Sequence, residues 1–246
     1  MQLHVLGSTG YHPNARRHTA CLMLPEQGIV LDAGTGMFRV RERLRTPELD
    51  IYLTHAHLDH VFGLTFLFDT RHDKELARVT VHAEAEKIAA IDEHLLAELL
   101  FPVKLPCEFK PLTGPETLAG GGTLRYFPLK HPGGSIGYRL DWPGRSLAYV
   151  TDTTASPDVD YVEKIRGVDL LIHECYFPDS LHEIAVKTGH STTTDVAEVA
   201  RRAGVQRLVL VHMNPLDESD DPIGIATARK VFPQTELAED EAVLEF

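Results

Sequence analysis

Short apolar runs broken by turn residues alternate along this chain with amphipathic stretches, and that alternation predicts an α/β fold. At the start, "QLHVLG", "ACLMLP" and "GIVLDAG" read as three short strands of a meander. A fourth run, "LDIYLT", leads into "HAHLDH", after which "VFGLTFLFDT" takes on helical character. "ARVTVHA" follows as a strand. "AEKIAAIDEHLLAELL" reads as a helix whose apolar positions Ile88, Ile91, Leu95, Leu96 and Leu99 recur at helical spacing. In the second half, "LRYFPLKH", "RSLAYVTD", "LLIHECYF" and "QRLVLVH" have strand character, and a closing helix and strand fall at "IGIATARKVF" and "AVLEF". Within "GHSTTTDVAEVARRAG", Thr192 and Asp195 make a capping-box pattern, Val196, Val199, Ala200 and Ala203 form a buried stripe, and Gly204 is the C-cap.

Polar chemistry collects where the apolar runs stop. In an extended segment side chains two apart share a face, so His55, His57 and Asp59 point one way, and a turn into a helix swings His60 in beside them. That arrangement offers two imidazoles to one ion and a carboxylate with an imidazole to a second. Three further runs finish on His131, Asp152 and His212. One strand ending on such a residue is unremarkable; several in one chain suggest a shared edge where strand ends converge. Asp32 also ends its strand, ahead of Gly34 and Gly36, and reads either as an acceptor for a ligand histidine or as an ordinary turn aspartate. His173 and Glu174 close another strand. His190 precedes a helix, whose first backbone N–H groups favour an anion.

Other polar segments carry less. Gly7-Ser8-Thr9-Gly10 lacks the Gly-Lys-Ser/Thr ending of a phosphate loop and reads as a tight turn. Arg16, Arg17 and His18 form a polar loop, either solvated surface or a hold on an anionic substrate. His82 and His94 read as structural or exposed, "FPVKLPCEFKPL" as a proline-rich connection, and "LDESDD" as an acidic loop serving solubility.

Length and charge narrow the picture. At 246 residues, without linker or repeat, the expectation is one domain over residues 1–246. A formal charge of −12 argues against strong non-specific binding to nucleic acid or to an anionic membrane, so any polyanion site must be local. Cys21, Cys107 and Cys175 show no CxxC spacing and fit a reducing compartment. The start of the chain has no basic, apolar leader, and no run reaches the roughly 18 to 20 apolar residues of a membrane span, so a soluble, cytoplasmic protein is expected.

With "HAHLDHVFGL", "KHPGGSIGYRL", "TDT", "HECYF" and "GHST" in this order, the chain resembles the metallo-β-lactamase superfamily along its length. Within it, the likeness is to the ribonuclease Z-type phosphodiesterase branch. The resemblance implies a four-layer αβ/βα sandwich and two divalent metal ions. By residue-for-residue correspondence His55, His57 and His131 hold the first ion, Asp59, His60 and His212 the second, and Asp152 bridges them. Zinc is the expected metal, with Mn²⁺ or Fe²⁺ compatible with the same donors. A hydroxide shared by the ions would attack the phosphorus. Asp59 orients the nucleophilic water or accepts the proton whose loss leaves that hydroxide, His190 donates a proton to the departing alkoxide, and Glu174 aligns His190. A homodimer is also what the resemblance suggests. Ribonuclease Z enzymes often carry a protruding arm between the His-Glu pair and the His-Ser-Thr segment; here only Cys175–Gly189 lies between them, which leaves no room for one. The expected activity is therefore a phosphodiesterase acting on a small or cyclic diester or an RNA 3′ end. A lactonase, thioesterase or arylsulfatase on the same metal core is the alternative. A non-catalytic binding module would be expected to show a damaged ligand set, and this one is intact.

Overall fold

The apolar runs of the first half join into a seven-stranded sheet of β1 (Gln2–Gly7), β2 (Cys21–Leu24), β3 (Ile29–Leu31), β4 (Glu48–Tyr52), β5 (Arg78–Ala83) and β6 (Glu108–Pro111), with the last strand of the chain, β14 (Val243–Glu245), beside β1. From β14 to β3 the neighbours are antiparallel; from β3 to β6 they are parallel. The computed structural model describes residues 1–72 and 76–246. It divides into two compact units, and this sheet with its helices is the first of them. Strands β2 and β3 are buried throughout, as their unbroken apolar character requires.

Helices α1 (Val40–Arg43), α2 (Leu58–Val61), α3 (Leu67–Arg71) and α4 (Ala85–Ala90) accompany the first sheet. Met23, Val30, Ile51 and Val81 from the strands share one buried cluster with Met37, Val40, Val61, Leu64 and Leu67 from the helical segments. Two predicted helices are shorter than their patterns suggest. "VFGLTFLFDT" is split into α2, a 3-10 turn over Phe62–Phe66 and α3. There Gly63 presses on the backbone of Gly34, so closely that a Cβ on it would lie 2.2 Å from the Gly34 carbonyl oxygen. The helix predicted through Leu99 ends earlier: α4 runs into a π turn at Ile91–Leu95, closed by Leu96 N–H on the Ile91 carbonyl. The wider turn breaks the helical register, and Leu99 stands 99% exposed instead of completing the apolar stripe.

The second unit repeats the plan with β7 (Glu116–Leu118), β8 (Gly122–Leu129), β9 (Ser135–Trp142), β10 (Arg145–Val150), β11 (Leu170–Glu174), β12 (Arg207–Val211) and β13 (Thr235–Leu237), adjacent in that order. Pairing is antiparallel from β7 to β10 and parallel from β10 to β13. Its helices are α5 (His182–Thr188), α6 (Thr193–Ala203) and α7 (Ile225–Val231). Val196, Val199, Ala200 and Ala203 of α6 are buried in one cluster with Ala148, Leu171, Leu208 and Leu210, and Gly204 ends the helix at φ 63°. The capping box takes another form: the Thr192 hydroxyl donates to the Asp195 carboxylate (2.8 Å) and makes no bond to a helix N–H.

Among the described residues no helix is long and apolar enough to cross a membrane. The three cysteines are free thiols, Cys21 and Cys175 buried and Cys107 half-buried. Burial pushes the Cys107 thiol up to about 11, so none of the three is placed as a nucleophile.

Candidate metal centre

In the first unit the parallel register Leu31↔Tyr52↔His82 ends β3, β4 and β5 on one level. Asp32 lies immediately beyond it, fully buried, with φ 59°. Its carboxylate accepts the Thr54 N–H (2.8 Å), the Thr54 hydroxyl (2.9 Å) and His60 Nδ1 (2.9 Å). Since the Thr54 hydroxyl proton goes to Asp32, its oxygen is left to accept from His55 Nδ1 at 3.1 Å. One buried carboxylate thus fixes the tautomer of two imidazoles, His60 directly and His55 through Thr54, and assigns Nε2 of each as the ligating nitrogen. The His55 ring lies 4.5 Å from that of His57 and 4.2 Å from that of His60. Asp59 Oδ2 is 3.3 Å from His60 Nε2 and accepts the Tyr11 N–H at 2.7 Å. Of the two roles open to Asp32 in the sequence, the structure selects the acceptor for a histidine.

The second unit has its own edge. Val150 is paired with His173, and Glu174 with Val211, so β10, β11 and β12 also stop together. Asp152 and His212 follow at φ 49° and φ 60°, a left-handed conformation costly for any side chain and concentrated at functional sites. Asp152 Oδ1 lies 3.1 Å from His212 Nε2, and Oδ2 lies 3.4 Å from His131 Nε2. His131 Nδ1 donates to the Gly189 carbonyl (2.9 Å), which again presents Nε2 for coordination. Backbone and side chain of Asp152 are both held, by the Ser135 hydroxyl on its carbonyl (2.7 Å) and the Thr151 hydroxyl on Oδ1 (2.9 Å). A tetrahedral ion with bonds of roughly 2.0–2.1 Å spaces its ligand atoms about 3.3 Å apart. The Nε2-to-carboxylate separations of 3.1, 3.3 and 3.4 Å match that spacing, and the nitrogen and oxygen donors suit a first-row divalent ion.

Glu174 is wholly buried and accepts the Thr153 N–H (2.9 Å), the Ser191 N–H (3.3 Å) and His190 Nδ1 (3.1 Å). The Ser191 hydroxyl donates to the Thr153 carbonyl (2.7 Å) and accepts the Ala155 N–H (2.9 Å), locking the two loops together. Tyr176 stacks on His190 with centroids 4.5 Å apart and planes 18° apart, and the His190 ring is 5.5 Å from that of His212. Glu174, His190 and His212 form one cluster of donor atoms. The neighbouring His173 faces the other way along the strand. Its Nε2 meets the Tyr161 hydroxyl at 2.9 Å in the core, and burial lowers its pKa.

Three expectations are revised. Two of the amides near His190 are already taken, since Ser191 N–H serves Glu174 and Thr194 N–H serves Asp179 (2.8 Å). Arg17 is buried and paired with Glu239 (2.7 Å), so it is not a solvated loop cation, whereas Arg16 lies at the surface, paired with the exposed Asp220 (2.7 Å). The acidic loop does structural work as well, since Asp220 anchors Arg16 and Asp221 accepts the Ile225 N–H at the start of α7 (2.8 Å). His82 is structural as expected, stacked on Tyr52 and bonded to Asp50 at 2.8 Å. Burial pushes the Asp50 carboxyl up, but the hydrogen bonds from His82 and Arg78 outweigh it and hold it at about 2.

Sequence reasoning passed over Thr54, Tyr11, Ser191 and Tyr176. Tyr176 had a readable signal, two residues beyond Glu174 and hence on its face of an extended chain. Thr54 and Ser191 act by relaying single hydrogen bonds, which no residue pattern encodes.

Residues 27–213 match the β-lactamase superfamily domain. Ribonuclease Z of Synechococcus sp. strain CC9605 is 30% identical, with 98% of this chain and 96% of that protein covered. Ribonuclease Z of Archaeoglobus fulgidus is 27% identical, with 98% and 96% covered. Among solved structures, the metallo-β-lactamase fold protein YhfI of Bacillus subtilis superposes with a TM-score of 0.82 at 20% identity, covering 100% of this chain and 99% of that one. The short form of human tRNase Z gives 0.77 at 21% identity, with 100% and 99% covered. These likenesses show the α/β sandwich of the metallo-β-lactamase fold, the class anticipated from the sequence. The alignment with the Archaeoglobus fulgidus protein spans 296 positions against 246 residues here. The chain belongs to the β-lactamase superfamily, in its ribonuclease Z-like branch, and is a metal-dependent hydrolase.

Proposed function

We propose that this hydrolase is a dinuclear phosphodiesterase acting on a small or cyclic phosphodiester or an RNA 3′ end. In this reading His55, His57 and His131 hold one ion, Asp59, His60 and His212 the other, and Asp152 is shared, with zinc the leading candidate. The tautomers set by Asp32 and Gly189, and the separate imidazole on each oxygen of Asp152, support the assignment. Two bound divalent ions would neutralise the phosphoryl oxygens and lower the pKa of an attacking water.

The observation that carries the choice of phosphodiester is the Glu174–His190 pair beside His212. Glu174 takes Nδ1–H, so His190 turns Nε2 outward as the proton donor for a departing alkoxide, and Tyr176 keeps the ring from rotating. A thioesterase or an arylsulfatase, which expels a thiolate or an aryloxide, has less need of such a donor on the leaving-group side. Asp59, steadied by the Tyr11 amide, orients the attacking water and takes its proton. The connection from Glu174 to His190 folds as a 3-10 turn at Asp179–Leu181 followed by α5, which favours a small diester over a folded tRNA precursor.

The test is hydrolysis of bis(4-nitrophenyl) phosphate by metal-quantified protein, with Asp59→Ala as control. Turnover at about two metals per chain, lost in the variant, is the expected result. Fully loaded protein that ignores the diester yet cleaves a lactone or an aryl sulfate would replace this reading with the alternative.

A further inference from the structure

For the cations of the loop between β1 and β2 the sequence leaves open solvated surface or a hold on an anionic substrate, and both arginines are engaged in ion pairs. Besides the surface pair Arg16–Asp220, it offers an aromatic ring to solvent. Tyr11 is 72% exposed, and its backbone N–H is the group bonded to the Asp59 carboxylate at 2.7 Å. The loop is firmly built: Ser8 N–H and Oγ donate to Asp240 (3.0 and 2.8 Å), Thr9 N–H donates to the His18 carbonyl (3.0 Å), and Thr9 and Thr19 form a β-bridge. At its apex His12 N–H donates to the Gly10 carbonyl at 2.8 Å, closing a three-residue turn around Tyr11 at φ 60°. A turn of this hand is rare and strained for any residue with a side chain. Any residue except proline would supply the amide that Asp59 needs, and glycine would do so without strain. Tyrosine therefore stands there against both backbone preference and the tendency of large rings to be buried. The His12 ring meets Tyr11 at 5.1 Å with planes 59° apart, bracing it from one side.

Resting on the phosphodiesterase reading, we infer that Tyr11 is a stacking platform for an aromatic base carried by the substrate, so that the preferred diester is a nucleotide. The amide of Tyr11 steadies Asp59 while its ring receives the base. One residue thereby ties the position of the reacting phosphate to the recognition of the group it bears.

Isothermal titration of Zn²⁺-loaded protein with adenosine 5′-monophosphate and with ribose 5-phosphate isolates the base, the only difference between these probes. Wild type should bind the nucleotide about tenfold or more tighter, the range of one base stacked on one aromatic ring. Tyr11→Phe should keep that ratio and Tyr11→Gly should bring it close to one. A ratio near one in wild type, or a ratio that survives in Tyr11→Gly, overturns the stacking role. Ribose 5-phosphate bound without preference for the nucleotide sinks the platform alone, whereas protein that binds neither phosphate monoester sinks the phosphodiester reading with it.

Discussion

The carboxylate of Asp152 stands 3.1 Å from Nε2 of His212, and both residues occupy left-handed backbone just beyond β10 and β12, the two strands that flank β11 in one sheet. A second oxygen of the same carboxylate faces His131, so Asp152 is the hub of the donors in its unit. Asn keeps the size of Asp and tolerates positive φ, but presents only one oxygen and no charge. Asp152→Asn should therefore lower activity by at least about 100-fold and reduce bound metal to one equivalent or less, without lowering the melting temperature of metal-free protein. Metal analysis and calorimetry of the two proteins check it.

Asp32 never offers an atom to the metal in this scheme, yet it sets the orientation of His60 and, through Thr54, of His55. Asp32→Asn should weaken metal affinity about 10- to 100-fold while leaving the full complement of donors in place. Competition with a chelator of known affinity measures the shift. Unchanged affinity would remove Asp32 from the account.

A proton donor matters most when the leaving group is a poor one. His190→Ala should lose about 10² to 10⁴ in kcat for an alkyl diester and far less for a nitrophenyl diester. Glu174→Gln should show the same discrimination in weaker form, because it positions His190 through Nδ1. Equal losses on both substrates would exclude the donor role.

His173 supplies a pH dependence that is separate from chemistry. Burial lowers its pKa from 6.5, so the folded protein holds it neutral while the unfolded chain takes up a proton near that value. Its contribution to stability is then present above about pH 6.5 and is lost as the pH falls toward the depressed folded value. Denaturation of metal-free protein at pH 8 and pH 5 should show a drop that is smaller in His173→Gln. Tyr161→Phe should cost about 1 kcal/mol at pH 8, since it removes the hydroxyl that His173 Nε2 accepts.

Much of this was legible in the residues because strand ends are legible. Apolar runs stopping on His131, Asp152 and His212 reported a common edge: the parallel register of β10, β11 and β12 sets it for Asp152 and His212, and β8, joined to β10 through antiparallel β9, brings in His131. Spacing also anticipated the stripe of α6, since a 3.6-residue period survives folding intact. Prediction failed where a single backbone event overrode a pattern: the π turn after α4 cast Leu99 out of its stripe, and Gly63 against Gly34 broke a helix into pieces. It failed again where the partner lies far along the chain. Nothing near Arg17 announces Glu239, and nothing near Asp59 announces the amide of Tyr11.

Four of the five left-handed non-glycine residues among those described, Tyr11, Asp32, Asp152 and His212, have a consequence for anyone who selects this protein for heat resistance. At each of them glycine relaxes the backbone, so a screen that scores survival of the fold alone is drawn to four positions where the proposed chemistry resides. Thermostable and active variants of this chain should separate there first, and a library that bars glycine at these sites is the one in which the two properties can rise together.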